Sequence, residues 1–121
     1  EKRIIKVKKL DDFNFKNVDL IKIDVEGHEQ KVIIGATKTI KKNLPIIICE
    51  IEQRHTLIPI KKIFNLIENF GYEGFFFKNY KLHNLKKFSF NLDQKPYLKD
   101  VENKNYINNF IFIPISKKKL L

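Results

Sequence analysis

Two hydrophobic periods alternate along this chain and divide it into strands and helices. Arg3 to Lys9 alternates, with Ile5 and Val7 set against Lys6 and Lys8, the pattern of a half-exposed strand. Leu10 and Phe13 bracket Asp11-Asp12, a turn signal, and Asn14 to Asn17 reads as a loop. Val18 to Ile23 is apolar at Val18, Leu20, Ile21 and Ile23. That predicts a strand apolar on both faces, as the interior strands of parallel sheets are.

At Gly27 the period changes. From Glu29 to Lys42, Val32, Ile33, Ala36 and Ile40 share one helical stripe, while Lys31, Lys38, Lys41 and Lys42 project away. Acids at the start and lysines at the end of this segment suit the helix macrodipole. Asn43-Leu44-Pro45 stops it, and Ile46 to Glu50 reads as a second buried strand. Strand, helix, strand over Val18 to Glu50 is a βαβ unit, which implies two parallel strands. A second helix opens at Pro59, carries Ile60, Ile63, Phe64 and Ile67 as its stripe, and ends at Gly71. Tyr72 to Phe77 predicts a third strand and Asn109 to Ile115 a last one, with Pro114 suited to an edge or an end. Phe88 and Phe90 alternate around Ser89 as in a short strand, Asp93 to Asn105 is polar and loop-like, and Lys117 to Lys119 reads as a solvated tail.

The topology assigns a place to the chemistry. In open α/β sheets ligands bind beyond the carboxyl ends of the strands, so Asp24 to His28 and Glu50 to His55 are expected to face one crevice. Asp24 ends an apolar strand and can accept a proton, hold a metal or bind a hydroxyl; the alternative is an Asp that caps the next turn. Glu26, His28 and Glu29 accompany it. His28 reads as a general base or metal ligand, or equally as an exposed histidine at a helix start. Glu29 reads as a first-turn charge. Gly27 fits a tight turn needing positive φ. Glu50 and His55 are ligand-facing on topology alone. His28-Glu29 is not a zinc-protease helix motif, because position 32 is Val where a second His is required. Glycines stand at 27, 35, 71 and 74, so no phosphate-cradling glycine loop is present. Phe75 to Phe77 read as core.

Composition narrows the classes. The 121 residues, 43% of them hydrophobic, fit a single domain or part of a larger one. No apolar run approaches the ~20 residues of a membrane span, and the start lacks the apolar region of a signal peptide. Cys49 is the one cysteine, which excludes an intramolecular disulfide and a cysteine zinc site; it reads as inert core. These features describe a soluble, cytoplasmic protein. With no methionine, the chain reads as a piece of a longer product. The net charge of +10 comes from 24 basic residues, of which only Arg3 and Arg54 are Arg. Base-reading proteins favour Arg, so composition bias is the first explanation of the charge and an anionic ligand or partner the second.

The run DLIKIDVEGHE at Asp19 to Glu29, the VIIGA at Val32 to Ala36 and the PIIICE at Pro45 to Glu50 together resemble the C-terminal half of the FkbM-type methyltransferases. Leu10-Asp11-Asp12-Phe13 is similar to that family's LDxL-like segment, and Asn109 to Pro114 to its closing strand. The resemblance implies an α/β fold of class I, Rossmann-like methyltransferase type. In it Val18 to Asp24, Ile46 to Glu50, Tyr72 to Phe77 and Asn109 to Ile115 would be the fourth, fifth, sixth and seventh strands, in the order 4-5-7-6. Residues 1–121 would form one partial domain. The first three strands, with most of the S-adenosylmethionine site, would lie upstream of Glu1. The implied activity is S-adenosylmethionine-dependent methyl transfer to a hydroxyl of a sugar, glycan or secondary metabolite. Asp24, Glu26 and His28 would be catalytic, Glu50 and His55 would bind the acceptor, and no metal or nucleic acid is implied. A non-catalytic α/β remnant or partner-binding module is the alternative, and a metal-dependent hydrolase a further one.

Overall fold

A computed structural model describes residues 1–120. Five strands form one mixed sheet: β1 (Leu20–Ile23), β2 (Ile46–Glu50), β3 (Tyr72–Lys78), β4 (Lys81–Asn84) and β5 (Asn109–Pro114). They lie in the order β1-β2-β5-β3-β4. β1 and β2 run parallel, whereas β5 is antiparallel to both β2 and β3. The helices are α1 (Glu29–Gly35), α2 (Thr37–Asn43), α3 (Ile60–Glu68) and the single turn α4 (Phe90–Asp93). Short 3-10 turns at Leu10–Phe13, Gln53–His55, Leu85–Lys87, Lys95–Tyr97 and Ile115–Leu120 join these elements.

The apolar stripes converge where their periods direct them. Ile33, Ile40, Ile47, Ile51, Ile63, Ile67, Phe110 and Phe112 are fully buried in one core. Each such side chain contributes about 1.5–3 kcal/mol by leaving water. Phe64 of α3 lies against Phe110 of β5 with ring centroids 4.7 Å apart, and Phe88 meets the same ring edge-on at 5.1 Å. α3 buries Ile60, Ile63, Phe64 and Ile67, the stripe expected of it. Pro114 ends β5 opposite Tyr72, a position compatible with its missing N–H.

Four expectations are corrected. Arg3 to Lys9 forms no strand; Ile4, Ile5 and Val7 are exposed, because the segment lies outside the sheet with no ladder to join. The single helix over Glu29 to Lys42 is two helices, interrupted at Ala36. There the Asp11 carboxylate accepts from the N–H groups of Lys38 and Thr39 at 3.0 and 2.9 Å, starting α2 afresh. Phe88 and Phe90 form no strand; the Asp93 carboxylate accepts from Ser89 N–H at 2.8 Å and holds Phe90–Asp93 as a helical turn. The terminal lysines are no free tail, since Lys117 donates to the Leu44 carbonyl at 2.7 Å and Lys118 pairs with Glu73. β1 is an edge strand among the described residues, with Leu20 55% exposed; its apolar pattern alone predicts an interior strand, whereas a fourth strand whose first three neighbours lie upstream is expected at this edge.

Candidate functional site

Strand register brings the first two acids together. Ile23 stands opposite Cys49 in the parallel β1–β2 ladder, so Asp24 and Glu50 leave the sheet side by side. Beyond β1 the chain turns through two left-handed residues, Glu26 at φ 45° and Gly27 at φ 99°. A non-glycine residue in that region is uncommon and concentrates at functional turns. The turn lays Gly27 directly on the loop that follows β2. A Cβ at Gly27 would stand 2.1 Å from the His55 carbonyl oxygen. The Gly27 N–H donates to Glu29 Oε1 at 2.8 Å, which draws that carboxylate inward, and Glu29 is 2% exposed. Asp24, Glu26, Glu29, Glu50, Glu52 and His55 consequently close around one small cleft that leaves no room even for a water molecule.

Such a concentration of carboxylates needs compensation, because like charges in a partly buried site oppose one another's ionisation. Glu52, 5% exposed, receives most of it. Burial opposes its ionisation, yet the Arg54 guanidinium and the Tyr106 hydroxyl outweigh that and hold its carboxyl below the usual range. Arg54 Nε donates to Glu52 Oε2 at 2.6 Å and Nη2 to Oε1 at 3.3 Å, while the Tyr106 hydroxyl donates to Oε2. Glu50 moves the other way. Burial, then the charge of Asp24 and the neighbouring Glu52, raise its carboxyl above the ordinary value, against the pull of Lys22. Asn108 Nδ2 donates to Glu50 Oε1 at 2.9 Å. The pair is therefore asymmetric: as pH falls, Glu50 takes up a proton before Glu52 does. His55 Nε2 lies 3.5 Å from Glu52 Oε1 and forms no hydrogen bond. Lys22 pairs with Asp24 at 3.6 Å in the open.

Of the residues singled out from sequence, Asp24, Glu26, Glu50 and His55 meet in this cleft. His28 does not. It is exposed at the start of α1 and lines a separate hollow of about 790 Å³ with Leu10, Phe13, Val25 and Val32. The Gly27 turn separates it from Glu26, sending neighbours in sequence to different sides. Glu29 faces the carboxylates as well as opening α1. Glu52 lies within the Glu50 to His55 stretch expected at the crevice, and the structure places it in the cleft, although the sequence assigned it no role of its own. Tyr106 gave no signal at all, being an aromatic in a segment without periodicity. A further hollow of about 440 Å³ lies against α3, floored by Ile60, Phe64, Leu85, Phe88 and Phe90.

The family model of the methyltransferase FkbM domain matches residues 1–73. The chain belongs to the FkbM methyltransferase family. The matched residues include β1, α1, α2, β2 and α3, and with them every group of the acidic cleft except Tyr106 and Asn108. Comparison with curated proteins and with solved structures gives no match. Within this FkbM chain no described helix is long and apolar enough to cross a membrane. Among the described residues no group of three or more His, Cys, Asp or Glu side chains is arranged to hold a metal ion. The cleft also falls short of a methyl donor's needs: its side chains leave no room even for a water molecule, where pockets for organic ligands begin at roughly 300 Å³. These residues by themselves do not form a pocket for S-adenosylmethionine.

Proposed function

We propose that this FkbM-family chain serves an S-adenosylmethionine-dependent O-methyltransferase, a cytoplasmic enzyme whose acceptor is a hydroxyl of a sugar, glycan or secondary metabolite. The observation that carries the reading is the juxtaposition of Asp24 and Glu50 at the carboxyl ends of two parallel strands, in a chain of a methyltransferase family. The strand order β1-β2-β5-β3, with β5 antiparallel, is compatible with the C-terminal part of a class I methyltransferase sheet.

The part these residues play is on the acceptor side. An alcohol is a poor nucleophile while it keeps its proton, so a positioned base raises its reactivity. Asp24 is exposed at the mouth of the cleft and meets the acceptor hydroxyl first. Glu50, set slightly deeper and raised toward the working pH, receives the proton. Glu26 and His55, at the rim, hold neighbouring hydroxyls in place, the kind of positioning that accounts for much of a transfer enzyme's rate. His28 has no part in this proton transfer.

The test is a labelled-methyl transfer assay on the full-length protein, against a panel of glycans and hydroxylated metabolites. Label is expected on an acceptor oxygen. Asp24→Ala is expected to lower turnover by about 10²-fold or more, with its unfolding midpoint near that of the parent because Asp24 is exposed. Label on no acceptor would refute the reading, and unchanged turnover in Asp24→Ala would remove that residue from it.

A further inference from the structure

The segment leading into β5 addresses both members of the carboxylate pair, with a spacing that mirrors theirs. Glu50 and Glu52 stand two residues apart at the end of β2. Tyr106 and Asn108 stand two apart on the segment beside it, tied there by Ile51 N–H donating to the Asn108 carbonyl at 2.8 Å. Tyr106 donates its hydroxyl to Glu52, and Asn108 donates its amide to Glu50. The two donors differ in what they permit. A hydroxyl donating to a carboxylate that also holds a guanidinium rewards the ionised form of Glu52. A single amide on one oxygen of Glu50 serves that group either ionised or protonated, because a carboxylic acid keeps an acceptor oxygen. Tyr106 is itself buried, so its hydroxyl has no water to turn to.

We propose that Tyr106 is a positioning residue: by holding Glu52 ionised together with Arg54, it assigns the pair's mobile proton to Glu50. This rests on the O-methyltransferase reading for the source of that proton. The acceptor's O–H bond would break with its proton passing to a Glu50 carboxylate oxygen, and the electron pair left on the acceptor oxygen would form the bond to the methyl carbon as the sulfonium donor's carbon–sulfur bond breaks, that pair staying on the neutral sulfur. Asp24, Lys22 and Glu26 face the pair from the end of β1, Glu29 from α1, Arg54 and His55 from the loop after β2, and Tyr106 from the segment before β5. Among these, Arg54 and Tyr106 act on Glu52 first, and Asp24 acts on Glu50.

The experiment follows the side-chain carboxyl carbons of glutamate by NMR titration in the full-length protein, alongside the pH profile of kcat/KM for methyl transfer. In Tyr106→Phe the midpoint of Glu52 is expected to rise by about one unit, and the acid limb of the profile, which follows the ionisation of Glu50, to move to lower pH while the plateau holds. In Glu52→Gln the midpoint of Glu50 is expected to fall by about one unit, the neighbouring negative charge having gone. A merely structural tyrosine would lower the plateau without moving either midpoint. Unmoved midpoints in Tyr106→Phe would overturn the proposal. Should that variant not fold, an unmoved Glu50 in Glu52→Gln overturns it equally. Midpoints that move as expected in a protein that methylates no acceptor support the proton assignment and refute the methyl-transfer reading.

Discussion

Gly27 and His55 touch backbone to backbone, and that contact closes the acidic cleft. No side chain fits between them, since a Cβ on Gly27 would meet the His55 carbonyl oxygen at 2.1 Å. Gly27 also sits at φ 99°, where side chains are strained irrespective of space. Gly27→Ala is therefore expected to cost on the order of 3 kcal/mol, the strain and the overlap adding. It should also displace the loop carrying Glu52 and His55. Urea unfolding measures the first effect. Gly35→Ala is the control: its Cβ would meet Lys9 first, at 3.3 Å from that side chain, and alanine is the better helix former by about 1 kcal/mol. That variant should be near neutral or slightly more stable.

Asp11 stabilises α2 from outside the helix, and this makes part of the stability acid-sensitive. Its carboxylate accepts from Lys38 N–H, Thr39 N–H and the Thr39 hydroxyl at 3.0, 2.9 and 2.8 Å. Burial raises the Asp11 carboxyl, but these hydrogen bonds and the Lys38 charge outweigh burial and leave it below its ordinary value. A carboxylate lowered in the folded state contributes fully above its unfolded value, roughly 3.9, and loses that contribution as pH falls through the lower folded one. Asp11→Ala should cost about 1–2 kcal/mol near neutrality, as the loss of a helix cap does. The gap between the variant and the parent should close as the pH drops below about 4. Urea midpoints measured across that range check both the size and the sign.

Cys49 should be chemically silent while the protein is folded. It is fully buried in β2. Burial, followed by the charges of Glu29, Asp24 and Glu50, pushes its thiol up, away from the reactive thiolate. Alkylation by iodoacetamide, read by mass spectrometry, should fail on the native protein at pH 8 and go to completion in denaturant. Labelling of the native form at the rate of a free thiol would show that β2 opens locally.

How much of this was legible in the sequence depended on where each residue's partner lies. β2 and α3 could be read directly, because the burial of Ile47, Cys49, Ile60, Ile63, Phe64 and Ile67 follows from the local period. The meeting of Asp24 with Glu50 could be read too, since a βαβ unit fixes parallel neighbours. The break at Ala36 could not: its cause is Asp11, which lies 27 residues from Lys38 in sequence. β4 was hidden because its hairpin turns on Asn79 and Tyr80, both left-handed at φ 51° and 60°, without the glycine that marks such turns. The segment holding Gln94 and Tyr106 has no apolar period, because those side chains are buried to hydrogen-bond rather than to pack. Polarity therefore read as exposure.

Gln94 shows what that misreading concealed. It is fully buried, and each end of its amide is used. Nε2 donates to the Ile51 and Ile107 carbonyls, both at 2.9 Å, while Oε1 accepts from Gln53 N–H at 3.1 Å. One side chain thus fixes the loop after β2 on both sides of Glu52 and ties it to the segment carrying Tyr106. Gln53 passes the constraint on, accepting the Ile60 N–H at the start of α3 at 3.0 Å. Gln94→Leu keeps much of the volume but leaves the Gln53 N–H buried without this acceptor, and the two carbonyls without this donor. The cost should be about 3 kcal/mol, the sum of modest penalties for unpaired backbone groups. Amide hydrogen exchange should locate it, with the Gln53 N–H losing protection before the β2–β5 ladder does. Leu92→Ser, on the exposed side of the same helical turn, should change neither quantity by more than about 0.5 kcal/mol. Equal effects from the two variants would show that Gln94 acts only by filling space.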